Sequence, residues 1–532
     1  MGAYSADANT TGSYNTAVGY YSLTNNTTGS YNTAVGDRAL DSNVSGHRNT
    51  GVGYKALEDT GNGSDNTAVG WQALDDCAAD NNTAVGSGAL KLNTTGAANT
   101  AVGSESLDAN TTGTRNTAVG YQALSANTTA DDNTAVGRQA LLATTTGASN
   151  TALGKSALTD NGTGDYNTAV GMNCLLANTT GTQNVAVGAF ALDANTTASN
   201  STAIGHLALS ANTVSGSTAV GHRALHSNTT GAGNLAIGKD ALYTNTTGQY
   251  NISIGYDSLQ QNNADNNVAV GHDALKVNTT GTENVAMGAN ALDANTTGTG
   301  NTAVGRDALG SNTTADNNTA FGRAAGKGVT TGIQNVLIGY NSGNYTNVIT
   351  DGTRNVVVGN NSSTSSPGGY DQEVLGYNVT GSAHNTFTFG SGGADSAISN
   401  GGTSISAPSD ERMKEEIVTA TAGLSFLNDL RPVTFKWKKE KDIPSELNTH
   451  VEGSEKRYKT DLTQHGFVAQ EVKSVIDAHS EIKDGFEMWR EDDLDGRQRV
   501  AEGALIPVLV KAVQELSAEN TALKQRLDAA GL

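Results

Sequence analysis

The chain has 532 residues, including 64 glycines and only five prolines, and its formal net charge is −20. That charge argues against a nucleic-acid-binding protein, because phosphate contacts need a face rich in lysine and arginine. No apolar run approaches the roughly 18 residues of a membrane span, and no basic-then-apolar leader precedes the first repeat. We therefore expect no nucleic-acid partner, no membrane insertion and no Sec signal.

A glycine recurs at nearly constant spacing through the first 339 residues. It closes an NTAVG-like phrase at positions 19, 36, 53, 70, 86, 103, 120, 137, 154, 171, 188, 205, 221, 238, 255, 271, 288, 305, 322 and 339. Sixteen of the nineteen intervals are 17 residues long and three are 16, a regularity typical of stacked repeats. Because Gly2 lies one interval before Gly19, the chain begins inside a repeat, and we expect further sequence upstream in the full-length gene product.

Each repeat reads approximately N-T-A-V-G-x-x-A-L-x-x-N-T-T-G-x-x. Side chains alternate along an extended segment, so Thr and Val share one face while Asn, Ala and Gly share the other. We expect the Val and the Leu five positions later to supply the apolar core of each turn, and the NTTG phrase to form a corner. This pattern predicts a mainly β fold, with a β-solenoid shaft over residues 1–339 built from one 17-residue coil per repeat.

One coil contributes only about two large apolar side chains, which is little for a core. We therefore expect chains to pack together along the Ala/Gly face, where small residues let another backbone approach. About twenty coils would form a section roughly 95 Å long at the spacing of parallel strands.

The two residues after each glycine vary freely, and we interpret them as the outward surface of the shaft. Examples are Tyr20–Tyr21, Asp37–Arg38, Trp71–Gln72, His206–Leu207 and His222–Arg223. They would serve either as receptor contacts or as a plain solvated surface.

The two cysteines, Cys77 and Cys174, occupy different positions of the repeat. A solenoid would hold them about six coils, or roughly 29 Å, apart, whereas a disulfide needs α-carbons within about 7 Å. We expect both to be unpaired.

The NTAVGxxAL units resemble the head repeats of trimeric autotransporter adhesins and the shafts of some phage fibres. The adhesin heads are trimeric left-handed β-rolls with shorter repeats, so the handedness of a 17-residue coil stays open. Residues 340–408 keep echoes such as NVLIGYNSG and NVVVGNNSS at irregular spacing, which predicts a β-rich neck.

Half of the 84 charged residues lie in the last 124 positions, where the sequence changes character. SDERMKEEI at 409–417, HGFVAQEV at 465–472 and EGALIPVLVKAVQELSAENTALKQRL at 502–527 resemble the S74 peptidase domain, the intramolecular chaperone of phage tailspikes and fibres. The resemblance implies an α+β domain over 409–532 that trimerises the fibre, folds it and then cuts itself off. It also implies that Ser409 is the nucleophile, Lys414 its base, and Ser409–Asp410 the bond that is broken.

A serine hydroxyl needs a base, and a lysine serves only where burial or nearby cations lower its pKa. Assembly of a trimer would supply that burial. Attack of Ser409 on its own carbonyl would close a strained four-membered ring, which leaves attack by Ser409 of a neighbouring chain, or an indirect role, open. Taken alone, Ser409–Asp410 would be an ordinary helix N-cap.

The other polar residues of the S74-like region receive no catalytic role. We interpret GFVAQEV as a packing motif and assign no chemistry to His465, Gln470 or Glu471. The motifs imply no cofactor and no metal.

The C-terminal segment, at about 505–530, has the heptad pattern of a coiled coil. Its seam consists of Leu509, Val513, Leu516, Asn520, Leu523, Leu527 and Ala530. Asn520 would fix the register, whereas the number of chains, three, comes from the resemblance alone. A slip by one near-identical repeat would cost little free energy, so the shaft alone would not select its register. A parallel coiled coil would align the chains before the shaft assembles.

The leading hypothesis is a homotrimeric virion tail fibre that attaches to a glycan or protein receptor on a host cell, with a peptidase activity directed only at itself. The alternative is a bacterial surface adhesin of the same architecture. A glycan-degrading tailspike is less favoured, because the repeats show no local cluster able to form a catalytic carboxylate pair. An ice-binding solenoid would stack Thr16, Thr33, Thr50 and Thr67, but these share a face with the valines expected in the core.

Overall fold

The computed structural model describes residues 2–392, 394–400, 405, 409, 411, 414–447, 449–482, 486–491 and 496–531. The chain forms two compact units, residues 1–408 and 409–532. The first consists of short stacked strands, and the described residues of the second form three α-helices and two small sheets.

The solenoid strands are β1 (Thr16–Val18), β2 (Thr33–Val35), β3 (Thr50–Val52), β4 (Thr67–Val69), β5 (Thr83–Val85), β6 (Thr100–Val102), β7 (Thr117–Val119), β8 (Thr134–Val136), β9 (Thr151–Leu153), β10 (Thr168–Val170), β11 (Val185–Val187), β12 (Thr202–Ile204), β13 (Thr218–Val220), β14 (Leu235–Ile237), β15 (Ile252–Ile254), β16 (Val268–Val270), β17 (Val285–Met287), β18 (Thr302–Val304), β19 (Thr319–Phe321), β20 (Val336–Ile338), β21 (Val356–Val358), β22 (Gln372–Tyr377), β23 (Thr386–Ser391) and β24 (Ala394–Ser399). The second unit contains α1 (Leu424–Asp429), β25 (Val433–Phe435), β26 (Gln464–Gly466), α2 (Ala469–Ala478), β27 (Trp489–Glu491), β28 (Gln498–Val500) and α3 (Leu505–Ala529).

Successive strands from β1 to β23 pair in parallel, each with the strand one repeat further along the chain. β7 and β8, for example, align Thr117 with Thr134 and Val119 with Val136. The prediction of a mainly β chain with a 17-residue β-solenoid is therefore confirmed.

The solenoid interior is filled by alanine, leucine and asparagine. In the coil that begins at β7, Ala118, Ala123 and Leu124 are fully buried, whereas Val119 is only half-buried. The expectation that valine lies in the core, with the Ala/Gly face left for other chains, was therefore wrong. A three-residue strand buries only its middle side chain here, and the small alanine fits the narrow space beside the leucine of the same coil.

Two ladders of buried asparagines run through this interior. Oδ1 of Asn116 accepts a hydrogen bond from the backbone N–H of Asn133 over 3.0 Å, and the side-chain amide of Asn127 donates to Oδ1 of Asn110 over 2.7 Å. Such bonds recur through most of the coils, so most buried asparagine side chains find partners inside the solenoid. The recurrence of asparagine on the alanine face indicates this arrangement, and the ladders are interrupted where serine takes the position, at Ser201 and Ser217.

The corners of each coil need left-handed backbone conformations. Gln122, Leu124 and Asp132 have φ between 53° and 61°, and Gly120 has φ of 137°. A Cβ on Gly120 would lie 2.5 Å from the carbonyl oxygen of Gly137 in the next coil. The repeated glycine is therefore required both by its dihedral angle and by the approach of two backbones.

The predicted neck over 340–408 continues the same sheet. β21, β22 and β23 pair in parallel with their predecessors, and β24 then pairs antiparallel with β23. The described part of this segment thus extends the solenoid by further coils and ends it with a hairpin.

The second unit packs its helices around one apolar cluster. The buried members are Ala422, Phe426, Leu430, Val472, Ile476, Met488, Leu505 and Val508. Two antiparallel pairs, β25 with β26 and β27 with β28, flank it. Among the residues described, none of the helices combines the length and apolar character needed to cross a membrane.

Both cysteines are free and buried, as predicted. Burial raises the pKa of the Cys77 thiol and raises that of Cys174 to about 12, so neither is a reactive thiolate at neutral pH.

Candidate processing site and exposed apolar surfaces

The structure brings together the two residues predicted to carry self-cleavage. Nζ of Lys414 donates a hydrogen bond to Oγ of Ser409 over 2.7 Å, and both side chains are exposed. The backbone N–H of Lys414 donates to the carbonyl of Glu411 over 3.1 Å, so a turn folds the lysine back towards the serine. Asp410, on the other side of the predicted cleavage bond, lies outside the described residues.

This pair has the elements of a serine–lysine dyad, a hydroxyl and an amine in direct contact. The described residues of 409–417 contain no α-helix, so the alternative interpretation of Ser409 as an α-helix N-cap is not seen there. Both groups are open to water in the single chain, whereas a lysine base needs burial or nearby cations that lower its pKa.

The HGFVAQEV motif packs the domain. Phe467 lies against the apolar cluster and Val472 is buried in α2. His465 is exposed on β26, and the carboxylate of Glu471 forms a two-pronged ion pair with Arg431. These contacts agree with a packing role for the motif.

A contact that the sequence did not reveal joins α3 to the start of α1. Oε2 of Glu515 accepts the backbone N–H of Leu424 over 2.8 Å, and Lys511 lies 3.4 Å from the same carboxylate. These partners, the Leu424 N–H foremost, lower the pKa of Glu515. The helix that carries the heptad seam is thus tied to the end of the segment that carries the dyad. No local pattern could indicate this bond, because its partners lie 91 residues apart.

His479 links the C-terminal ends of α1 and α2. Its Nδ1 lies 2.7 Å from Glu481 and its Nε2 lies 2.9 Å from Asp429, while its ring stands edge-on to Phe426. The hydrogen bonds to Glu481 and then Asp429 raise the pKa of His479. When the imidazole is protonated, it donates to both carboxylates.

The predicted heptad seam of α3 is exposed in the single chain. Val513 is 65% exposed and Leu523 is 52% exposed, and Leu509, Leu516 and Leu527 are also open. The face of α3 that does pack uses Leu505, Val508 and Ala512 instead. One face of α3 therefore packs against the domain, and the seam residues on the other face remain exposed in the single chain.

A second unpartnered surface runs along the solenoid. The first and third residues of β1 to β21 point outward in every strand, and we call this row of side chains the Thr–Val face. Val35 is 36% exposed and Phe321 is 59% exposed. A continuous apolar row of this kind is rare on a monomeric protein and is typical of an interaction surface.

Most variable pairs are open to solvent, as predicted, but Asp240 and Asp257, the second members of their pairs, are buried. Several pairs stack along the solenoid. Tyr54 and Trp71 lie 6.5 Å apart with nearly parallel rings, and Nζ of Lys91 lies 5.6 Å from the Trp71 ring. His206 and His222 stack at 5.5 Å. Across the described residues, no group of three or more histidine, cysteine or acidic side chains is arranged to hold a metal ion.

The family model described as chaperone of endosialidase, Peptidase_S74, matches residues 409–481. The match contains Ser409 and Lys414 and ends before α3. The chain therefore carries a Peptidase_S74 chaperone-of-endosialidase domain that follows a β-solenoid. No curated protein matches the chain.

Proposed function

We propose that the chain is one subunit of a homotrimeric fibre that attaches a virion to the surface of a host cell, and that its C-terminal domain assembles the trimer and then cuts the chain after Ser409. The observation that carries this proposal is the Lys414–Ser409 hydrogen bond within a domain of the endosialidase-chaperone family. A β-solenoid is a suitable partner for such a domain, because it is long, regular and difficult to align.

Two exposed apolar surfaces support the trimer. The Thr–Val face and the seam of α3 both need cover, and both belong to the same chain. Identical chains related by a threefold axis would cover each surface with its own copies, as in a cyclic assembly. The trimer interface proposed here is thus the Thr–Val face, in place of the Ala/Gly face expected from the sequence.

The cleavage step is a hydrolysis. Lys414 accepts the hydroxyl proton of Ser409, and the oxygen of that serine attacks the carbonyl carbon of the Ser409–Asp410 bond in a neighbouring chain. An ester forms, and the amine of Asp410 leaves with a proton. Water then hydrolyses the ester, which leaves a carboxylate on Ser409 and restores the hydroxyl.

The test compares the full chain with its Ser409→Ala variant on a denaturing gel, with Ser445→Ala, an exposed serine of the same domain, as control. The wild type and the control should yield fragments 1–409 and 410–532, and Ser409→Ala should stay whole. Light scattering should give three chains per particle. A wild-type chain that stays whole and monomeric would overturn the proposal.

The attack between chains has its own test. Tagged Ser409→Ala chains co-expressed with wild type should be cut after residue 409 inside mixed trimers. If only the wild-type chains are cut, Ser409 acts within its own chain, through water rather than by direct attack.

The outward Thr–Val face also favours a second candidate, an ice-binding solenoid. Thr16, Thr33, Thr50 and Thr67 point outward, contrary to the expectation that they face the core. The threonine row is unbroken only through β10, and trimer formation would cover it. Thermal hysteresis by a monomeric chain would favour this candidate over the fibre.

A further inference from the structure

The Thr–Val face is uniform at one end of the solenoid and varied at the other. Each strand from β1 to β8 presents one threonine and one valine. A neighbouring chain displaced by one coil would meet the same side chains along this whole section. The uniform section therefore carries no information about register.

From β9 onward the outward residues differ from strand to strand. The larger members are Leu153, Ile204, Leu235, Ile237, Ile252, Ile254, Met287, Phe321 and Ile338. Phe321 is the largest side chain in the row, and its ring is 59% exposed. Its neighbours in the sheet are Val304 on one side and Ile338 on the other.

We propose that Phe321 sets the register of the assembled shaft, by packing against Phe321 of two further copies of this chain. This inference rests on the proposed trimer and names the residue that aligns it. In the aligned trimer the three rings meet at one level and share one space. A slip by one coil would place each ring in a space shaped for Val304 or Ile338, and an oversized side chain in a packed interface is destabilising. The difference in free energy between the aligned trimer and the slipped trimer then determines the register.

The position of Phe321 along the chain suits this role. It lies in β19, near the end of the solenoid that leads to the chaperone domain, whereas the uniform strands lie at the far end. If the chains associate first through the α3 seam, the strands around Phe321 would pair between chains early in assembly. The uniform strands β1 to β8 would pair last. The rod thus contributes to its own alignment, which the sequence pattern alone did not indicate.

The test reads the register directly with two full-length chains that carry different tags. One chain has Thr100→Cys and the other has Thr117→Cys, both on the Thr–Val face one coil apart. The native cysteines are buried and do not interfere. After oxidation with oxidised glutathione, mass spectrometry gives the ratio of mixed to like disulfides. A slipped pair brings residues 100 and 117 of different chains to the same level and favours the mixed disulfide, whereas an aligned pair separates them by about 4.8 Å along the shaft and favours the like one.

Phe321→Val in both chains should raise the mixed-to-like ratio about tenfold while the trimer remains. Phe321→Leu, which keeps a side chain larger than valine, should raise it less. Adding Val69→Phe to the Phe321→Val chains should restore the low ratio, since an aromatic ring, larger than any other outward side chain of the row, can set the register at another level. Phe321 points outward, so its replacement leaves the solenoid interior intact.

Each outcome decides a separate question. A trimer whose ratio is unchanged by Phe321→Val overturns the register role and leaves the fibre proposal standing. If Phe321→Val raises the mixed-to-like ratio and Val69→Phe does not lower it again, the register role is also overturned. Phe321 would then act only through its local packing. Absence of like disulfides together with a monomeric mass overturns both proposals.

Discussion

Nζ of Lys414 donates a hydrogen bond to Oγ of Ser409, with 2.7 Å between the two atoms. The contact is made five residues apart by a turn at Glu411, within one chain. The pair is therefore formed within a single chain, and both side chains are open to water there.

Lys414→Arg should abolish self-cleavage without preventing assembly. Arginine keeps the positive charge and the hydrogen-bond donor, but it does not release its proton and so cannot serve as a base. We expect the cleavage rate to fall by about 100-fold or more. The rate is followed by gel after synthesis, with Lys456→Arg, an exposed lysine of the same domain, as control. Cleavage of the arginine variant at the wild-type rate would remove Lys414 from the mechanism.

Gly120→Ala should destabilise the solenoid far more than Gly88→Ala. Both glycines have positive φ, but a Cβ on Gly120 would lie 2.5 Å from the Gly137 carbonyl oxygen, whereas one on Gly88 has no neighbour within 4 Å. We expect about 1 kcal/mol for Gly88→Ala and about 3 kcal/mol or more for Gly120→Ala. Urea unfolding measures both, and equal losses would show that the close approach of the coils is unimportant.

Asn116→Ala should weaken the interior locally. The change removes the acceptor for the N–H of Asn133 and leaves that buried group unpaired, and it removes one of the two donors to the carbonyl of Ala130, which keeps its bond from Asn127. The expected loss is about 1–3 kcal/mol. Hydrogen exchange should become faster in β7 and β8, while the exposed control Thr129→Ala should leave it unchanged. Unchanged exchange in Asn116→Ala would mean that water replaces the amide.

The stability of the C-terminal domain should decrease as pH rises above neutrality. The carboxylates of Glu481 and Asp429 raise the pKa of His479 in the folded state. The contribution of His479 to the stability of the folded domain is therefore fully present below the unfolded pKa of about 6.5. It is lost as the pH rises through the higher pKa of the folded state. His479→Gln should remove this part of the pH dependence. Melting temperatures between pH 6 and pH 8.5 check this, and a variant with the wild-type slope would contradict it.

Much of the fold follows from the repeat itself. The 17-residue spacing predicts the coil, and it holds from β1 to β10 except between β4 and β5, which begin 16 residues apart. The T-A-V phrase predicts the strand, and in β1 to β10 only Gly51 and Leu153 depart from it. Alternation divides the side chains into two faces, but it does not say which face is inside. Valine is more apolar than asparagine, so hydrophobicity alone points to the wrong face. The asparagine ladders decide the matter, because their bonds form only between coils stacked in the interior.

The candidate site was predictable only in part. The Ser409–Lys414 pair follows from the resemblance carried by SDERMKEEI, and the structure adds the contact between them. The bond from Glu515 to Leu424 depends on tertiary packing and has no local sequence signal. The exposed Phe321 becomes meaningful only after the orientation of the Thr–Val face is known.

Every strand of the solenoid pairs only with the strands one repeat before and after it. Between β6 and β8, one repeat can therefore be duplicated or lost by unequal recombination in the gene, and each new neighbour still finds an identical partner. The solenoid would grow or shrink in steps of about 4.8 Å, with the C-terminal domain untouched. Its length is thus a trait that a lineage can adjust gradually, without inventing any new contact.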